Sequence, residues 1–244
     1  MTKQKLFNPF WAILLTWLIF NLTPIPFIWL LDFFGNWVYT NPIESEINIL
    51  GGNLIFYPIR DNLLTFLSTP LMIFLIYLIS KRRNLNFGHY LGKSSPSFYT
   101  YLKWSFLLFI LLVVEEVYLY LVKAKIPQSF LDFIIAEPLI FGFMSVVIFA
   151  PIVEEFLFRG FLFEQLKDSF FGIRGSILVS SFLWTSLHLQ YEWKILIFLF
   201  FFGLFLGYVR WKKDSLMLVI FLHFINNLIA FCMVYFDFSF LELF

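Results

Sequence analysis

Long apolar runs separated by short polar segments dominate this chain. Because a membrane-spanning helix needs roughly 20 mainly apolar residues, the pattern predicts about seven spans, with a polar loop after the first. The predicted spans are 9–31, 62–80, 102–122, 138–165, 174–191, 194–209 and 215–236. The expected fold is an all-α polytopic transmembrane helix bundle of about seven to eight helices.

No internal repeat or low-complexity linker divides the chain, so residues 1–244 are predicted to form a single membrane domain. Within it, residues 1–137 supply N-terminal transmembrane helices, and residues 138–236 supply the helices that carry most of the candidate chemistry. The first apolar run lacks a small-residue cleavage site, so it is interpreted as an uncleaved span.

Composition supports a membrane protein, since 61% of the residues are hydrophobic and 14% charged, whereas a soluble domain has about a quarter charged. A net charge of +1 gives no reason to expect a nucleic acid. The expected partner from composition is membrane lipid, and the oligomeric state is not predicted. A single cysteine excludes an internal disulfide framework.

Clusters of lysine and arginine alternate with loops that are poorer in such residues. Short loops rich in these residues stay in the cytoplasm. The alternation predicts a cytoplasmic N-terminus and a C-terminus on the outside. The expected location is a bacterial-type plasma membrane. Lys123 and Lys125 are the exception, because they would fall outside.

Two adjacent carboxylates, Glu154 and Glu155, lie inside the fourth apolar run and are followed by Arg159. Ionisable groups within hydrocarbon are costly, so they indicate a functional site. Pro151 interrupts the hydrogen bonding of this helix, which is tolerated in a membrane only where the freed groups face protein or water. A cavity is therefore expected beside Glu154.

Counting along the helices predicts that three of these groups meet. Glu154 and His188 each lie about 17 residues from the turn between the fourth and fifth spans, or roughly 25 Å along their helices. His223 lies about a dozen residues past the next turn on the same side of the membrane. The three side chains are expected to converge.

The spacing leaves their roles open. Glu155 and Arg159 are four residues apart and can pair on one helix face, while Glu154 points about 100° away. The alternative is that both glutamates only pair with Arg159 or with a neighbouring helix.

The histidines also allow two interpretations. His223 and Asn227 share a helix face and could donate hydrogen bonds to a developing oxyanion. Alternatively, His223 could join His188 and Glu154 as a zinc site with two histidines and one carboxylate.

Two further features complete the pattern. Glu115 and Glu116 form a second acidic pair in the third span, without an arginine or histidine at helical spacing, and could line the same cavity. Gly203 and Gly207 form a GxxxG sequence that predicts close helix packing.

Three motifs resemble those of the CAAX-protease and bacteriocin-processing family of intramembrane endopeptidases, also called the Abi or CPBP family. The EExxxR motif matches Glu154–Arg159, and the FxxxH motif matches Trp184–His188 with Trp in place of Phe. The HxxxN motif matches His223–Asn227. The resemblance covers about residues 138–230.

The resemblance implies hydrolysis of a peptide bond, with water activated by Glu154 and aided by His188. It further implies that His223 and Asn227 stabilise the oxyanion, and that Glu155 with Arg159 orients the site. Both metal-dependent and metal-free mechanisms are associated with this family. The cofactor is therefore Zn²⁺, another divalent metal or none, and the ligands of a metal would be Glu154, His188 and His223.

The expected substrate is a membrane-associated or prenyl-CAAX-like peptide, although prenyl specificity is not assumed. One alternative is a non-catalytic membrane protein of the same fold that confers immunity or binds a peptide. Another is a small transporter, suggested by polar groups at a broken helix but opposed by the absence of an inverted repeat.

Overall fold

The computed structural model describes residues 8–33, 45–49, 52–56, 58–84, 86–135 and 139–236. The helices are α1 Pro9–Leu22, α2 Ile25–Phe33, α3 Pro58–Arg82, α4 Phe98–Val122, α5 Gln128–Ile135, α6 Leu139–Lys167, α7 Gly172–Ser186, α8 Trp193–Lys213 and α9 Leu216–Tyr235. A short 3-10 helix, Phe87–Leu91, joins α3 to α4.

Within these described ranges, 6 helical segments are long and apolar enough to cross a membrane. They are α1 with α2, then α3, α4, α6, α8 and α9. The predicted all-α transmembrane bundle is confirmed. The segment predicted as a polar loop contains a short antiparallel hairpin of β1 Ser45–Ile49 and β2 Gly52–Phe56, in which Ser45 lies opposite Phe56.

The fifth predicted span, 174–191, is shorter than its apolar pattern suggested. Helix α7 has 15 residues, which make about 22 Å against the roughly 30 Å of a bilayer's hydrocarbon core. After Ser186 the chain forms successive turns, in which the His188 amide donates to the Thr185 carbonyl at 2.9 Å and the Tyr191 amide to the His188 carbonyl at 3.0 Å. His188 therefore lies in a turn and not within a helix.

Helix α6 changes its winding around the candidate site. Met144–Phe149 and Phe156–Leu162 are π-helical, and the α-helical segment Ala150–Glu155 lies between them. Pro151 is in the first turn of that middle segment. The break in helical hydrogen bonding expected at this proline is therefore found in the wide π-helical turns that precede it. Such turns occur frequently at functional sites.

Small residues bring α7 and α8 into close contact. A methyl group added at Gly203 would lie 3.1 Å from the Cβ of Ser181, and one added at Gly207 would lie 3.1 Å from the Cγ2 of Ile177. This agrees with the packing role predicted for the GxxxG sequence. The close approach also holds the α8 backbone beside the buried part of α6.

The loop after the 3-10 helix is attached to the C-terminal end of α8. The amides of Lys93 and Ser94 donate to the side chain and backbone oxygen of Asp214 at 3.2 and 3.1 Å. Burial alone would raise the pKa of the Asp214 carboxyl, but its hydrogen bond to Arg210 and the charge of that guanidinium hold the pKa below its usual value. The attachment therefore uses an ionised carboxylate at neutral pH.

We expect Gly92→Ala to destabilise the protein more than any other alanine substitution in this loop. Gly92 has a φ of 85°, and an added Cβ would lie 2.0 Å from the backbone oxygen of Asp214. A strained backbone position alone costs roughly 1–3 kcal/mol, and the clash adds to it. Thermal unfolding of the purified protein in detergent measures the effect.

Gly88→Ala is the matched control. Its added methyl would meet a flexible side-chain atom, Asn86 Oδ1, at 3.3 Å. Equal unfolding temperatures for the two variants would show that the loop moves away from α8 without cost.

Candidate active site

A buried polar network joins α6 to α8 and α9. Glu155 and Arg159 are both fully buried, and Arg159 Nη1 donates to Glu155 Oε1 at 2.8 Å, which confirms the predicted pair. Arg159 Nη2 also donates to the carbonyl of Gly203 at 3.1 Å. His223 Nδ1 lies 2.8 Å from the same oxygen of Glu155. One arginine and one carboxylate thus connect three helices.

Glu154 has a different environment from Glu155. Its side chain is 13% exposed, whereas that of Glu155 is 0% exposed. Trp184 Nε1 donates to Glu154 Oε2 at 2.6 Å, and His223 Nε2 lies 3.9 Å from the same oxygen. Within the described part of the chain, the second oxygen of Glu154 has no hydrogen-bond partner. Of the two carboxylates, only Glu154 can be reached from outside the core.

Trp184 packs against most of the candidate residues. Its ring centre lies 4.7 Å from that of His188 and 5.6 Å from that of His223. The guanidinium carbon of Arg159 lies 5.1 Å from the ring centre, within the range of a cation–π interaction. The sequence indicated only an aromatic neighbour of His188. The donor role was missed, although a buried indole N–H usually has a hydrogen-bond partner.

His188 is held by Trp184 and Tyr191. Its Nδ1 lies 3.0 Å from the carbonyl oxygen of Trp184, and its ring stacks on Tyr191 with the centres 6.1 Å apart. Among the described residues, no hydrogen bond or ion pair joins His188 to Glu154. The expected convergence is thus closest between Glu154 and His223, while His188 contacts the ring of Trp184, whose indole N–H donates to Glu154.

Asn227 is bound to the first π-helical segment of α6. Its Nδ2 donates to the carbonyl of Val146 at 2.8 Å, and its Oδ1 accepts from Asn226 Nδ2 at 3.0 Å. An amide nitrogen has two N–H groups, so one remains for another acceptor. The sequence placed Asn227 and His223 on one face, but the structure directs Nδ1 of His223 towards Glu155.

The arrangement of side chains does not suit a metal ion. In the described segments, no group of three His, Cys, Asp or Glu side chains is arranged as metal ligands would be. The indole N–H of Trp184 donates to Glu154 Oε2, the oxygen nearest His223, so a cation between these two side chains would meet this donor.

The second acidic pair lies apart from this network. Glu115 and Glu116 are half-buried on α4. Within the described part of the chain, no hydrogen bond or ion pair connects them to the six candidate residues.

A second buried cluster, which the sequence analysis did not identify, supports the site from its other end. Glu164 pairs with Arg210 at 2.8 Å, His89 at 2.7 Å and Lys167 at 2.6 Å. Arg210 Nε also donates to the backbone oxygen of Arg159 at 3.0 Å. The sequence feature that could have indicated this cluster is a pair of opposite charges, Glu164 and Arg210, near the ends of two apolar runs.

Comparison with known families matches residues 136–229 to the family described as type II CAAX prenyl endopeptidase Rce1-like. The matched region contains all three motifs and the whole buried network around Arg159. Comparisons with curated proteins and with solved structures gave no significant match.

Proposed function

We propose that the chain is an intramembrane endopeptidase whose hydrolytic water is activated by Glu154. The match of residues 136–229 to the type II CAAX prenyl endopeptidase Rce1-like family supports this proposal. The observation that carries the proposal is the position of Glu154 Oε2, 3.9 Å from His223 Nε2. This separation exceeds a direct hydrogen bond, and one water molecule can contact both groups.

Glu154 is the general base of the proposed reaction. Trp184 holds Oε2, the oxygen that faces His223. This oxygen has a second lone pair, which takes a proton from water as the water oxygen bonds to the peptide carbonyl carbon. Glu154 then returns that proton to the amine nitrogen as the C–N bond breaks. A positioned general base of this kind contributes roughly 10²–10⁴-fold to the rate.

Arg159, Glu155 and His223 orient the water in this proposal. The carboxylate of Glu155, paired with Arg159, accepts from His223 Nδ1. In the neutral ring the proton then lies on Nδ1, and Nε2 remains an acceptor that faces the water. His223 therefore directs a water lone pair towards the substrate carbonyl.

Asn227 and His188 have supporting roles in the proposal. The free N–H of Asn227, one helical turn from His223, donates to the oxyanion that forms on the carbonyl oxygen. His188 packs on the indole of Trp184 and keeps its N–H directed at Glu154.

The substrate class that we propose is a membrane-associated or prenyl-CAAX-like peptide. The accessible carboxylate lies on a helix that is long and apolar enough to cross the membrane, so the scissile bond has to reach it from a chain held at the membrane. New peptide N-termini in membranes from cells with wild-type protein or Glu154→Gln, at matched expression, test this function and identify the substrate. Identical sets of termini would favour a non-catalytic peptide-binding protein.

We expect Trp184→Phe to lower kcat by roughly 10-fold or more while KM stays nearly constant. The substitution keeps an aromatic ring but removes the donor to Glu154, and hydrogen bonds to charged groups are worth about 1.5–3 kcal/mol. Trp184 is only 1% exposed, so it contributes little to substrate binding. Steady-state kinetics on an identified substrate measure both constants.

Trp104→Phe is the matched control for this prediction. Trp104 is also buried, but its indole nitrogen has no hydrogen-bond partner among the described residues. If both variants lose the same fraction of kcat, the indole hydrogen bond has no role in the reaction.

A further inference from the structure

A groove of about 490 Å³ lies between α3, the 3-10 helix and α6. Its lining is mainly apolar and includes Pro70, Ile73 and Tyr77 of α3, Phe87 of the 3-10 helix, and Phe149 and Ile152 of α6. The groove is open, and it lies between α3 and α6, two of the helices that are long and apolar enough to cross a membrane.

The groove and the candidate active site lie on different sides of α6. Ile152 lines the groove, and Glu154 follows it by two residues in the α-helical segment Ala150–Glu155. Two residues correspond to a rotation of about 200° around a helix. A ligand bound in the groove would therefore face away from Glu154, so we do not assign the groove to the peptide that is cleaved.

The groove continues along one face of α3 to a cluster of cations. Pro70, Ile73, Tyr77 and Lys81 are spaced by three or four residues and share this face. Lys81 Nζ lies 5.9 Å from the ring centre of Tyr77, and exposed Arg82 follows it. The ammonium group therefore lies one helical turn beyond Tyr77, which lines the groove.

The groove together with the cations beyond it spans about one leaflet. From Pro70 to Lys81, α3 rises about 16 Å at 1.5 Å per residue. One leaflet contributes half of the roughly 30 Å hydrocarbon core. An acyl chain that extends from the membrane surface to the middle of the bilayer would fill the groove.

We propose that this groove binds one anionic phospholipid of the surrounding bilayer. An acyl chain lies against Ile73, Tyr77 and Phe149, and the phosphate lies against Lys81 and Arg82. The charges are complementary, because a net negative headgroup pairs with these cations, whereas a zwitterionic headgroup carries its own positive charge to them. Basic pockets between transmembrane helices bind anionic headgroups in this way.

Native mass spectrometry of the full-length protein from detergent tests the proposal, with phosphatidylglycerol and phosphatidylcholine of identical chains added at equal concentration. Lys81→Gln/Arg82→Gln removes the cations, and Ile73→Trp fills the groove without changing the charge. The control is Lys212→Gln/Lys213→Gln, which removes two charges at the end of α8. That end lies at the same membrane face, since Lys93 and Ser94 contact Asp214 there.

We expect the wild type and the α8 control to retain phosphatidylglycerol in preference to phosphatidylcholine. Lys81→Gln/Arg82→Gln should bind it at least roughly 10-fold more weakly, because both cations that pair with the headgroup are removed, and Ile73→Trp should also lose it. Three results would overturn the proposal: equal retention of both lipids, equal losses in the two double variants, or unchanged selective binding by folded Ile73→Trp.

Discussion

Replacing Glu154 with Gln is expected to abolish peptide cleavage and to leave the protein folded. Gln has nearly the same shape, and its carbonyl oxygen can still accept the hydrogen bond of Trp184. The amide cannot take a proton from water, so the rate should fall by roughly 10²–10⁴-fold. Folding should change little, because the side chain is partly exposed and has no arginine partner.

Purified wild type and variant, compared at equal concentration on the same substrate, provide the measurement. Glu116→Gln is the matched control, because it makes the same change at a half-buried intramembrane position on α4. We expect this control to cleave at the wild-type rate. Cleavage by folded Glu154→Gln at the wild-type rate would remove Glu154 from the mechanism and support another base.

Local spacing explains why one part of the site could be predicted from the sequence. Glu155 and Arg159 lie on one helix four residues apart, and the geometry of a helix alone brings such side chains together. The π-helical segment between Phe156 and Leu162 leaves this pair intact.

The contacts between helices could not be predicted in the same way. The bond from Trp184 to Glu154 joins residues 30 positions apart and depends on how α7 rotates against α6. Counting residues along the helices predicted that His188 lies close to Glu154, but it did not show that α7 ends at Ser186. The turn after Ser186 then brings the His188 ring against Trp184, with the ring centres 4.7 Å apart.

The largest loss of stability is expected for Arg159→Met. This change keeps an apolar stem but leaves the buried carboxylate of Glu155 with His223 as its remaining side-chain partner. Removal of one partner of a buried ion pair typically costs roughly 3–5 kcal/mol. The free energy of unfolding in mixed detergent micelles should fall accordingly.

Lys212→Met is the control for a lost cation, because Lys212 is exposed at the end of α8. Surface charges of this kind contribute roughly 0–1 kcal/mol. If the two variants have the same free energy of unfolding, the buried pair does not stabilise the fold. Water or His223 must then stabilise the negative charge of Glu155 in Arg159→Met.

The double variant Glu155→Gln/Arg159→Met separates stability from function. With both charges removed, no unpaired ion remains in the core, so part of the stability lost in Arg159→Met should return. Peptide cleavage should stay low, because His223 Nδ1 no longer faces a carboxylate and the neutral ring is free to carry its proton on Nε2, opposite Glu154. A stable double variant with wild-type kcat would show that the buried pair only holds the helices together, whereas a stable but slow one would show that it orients His223 for the reaction.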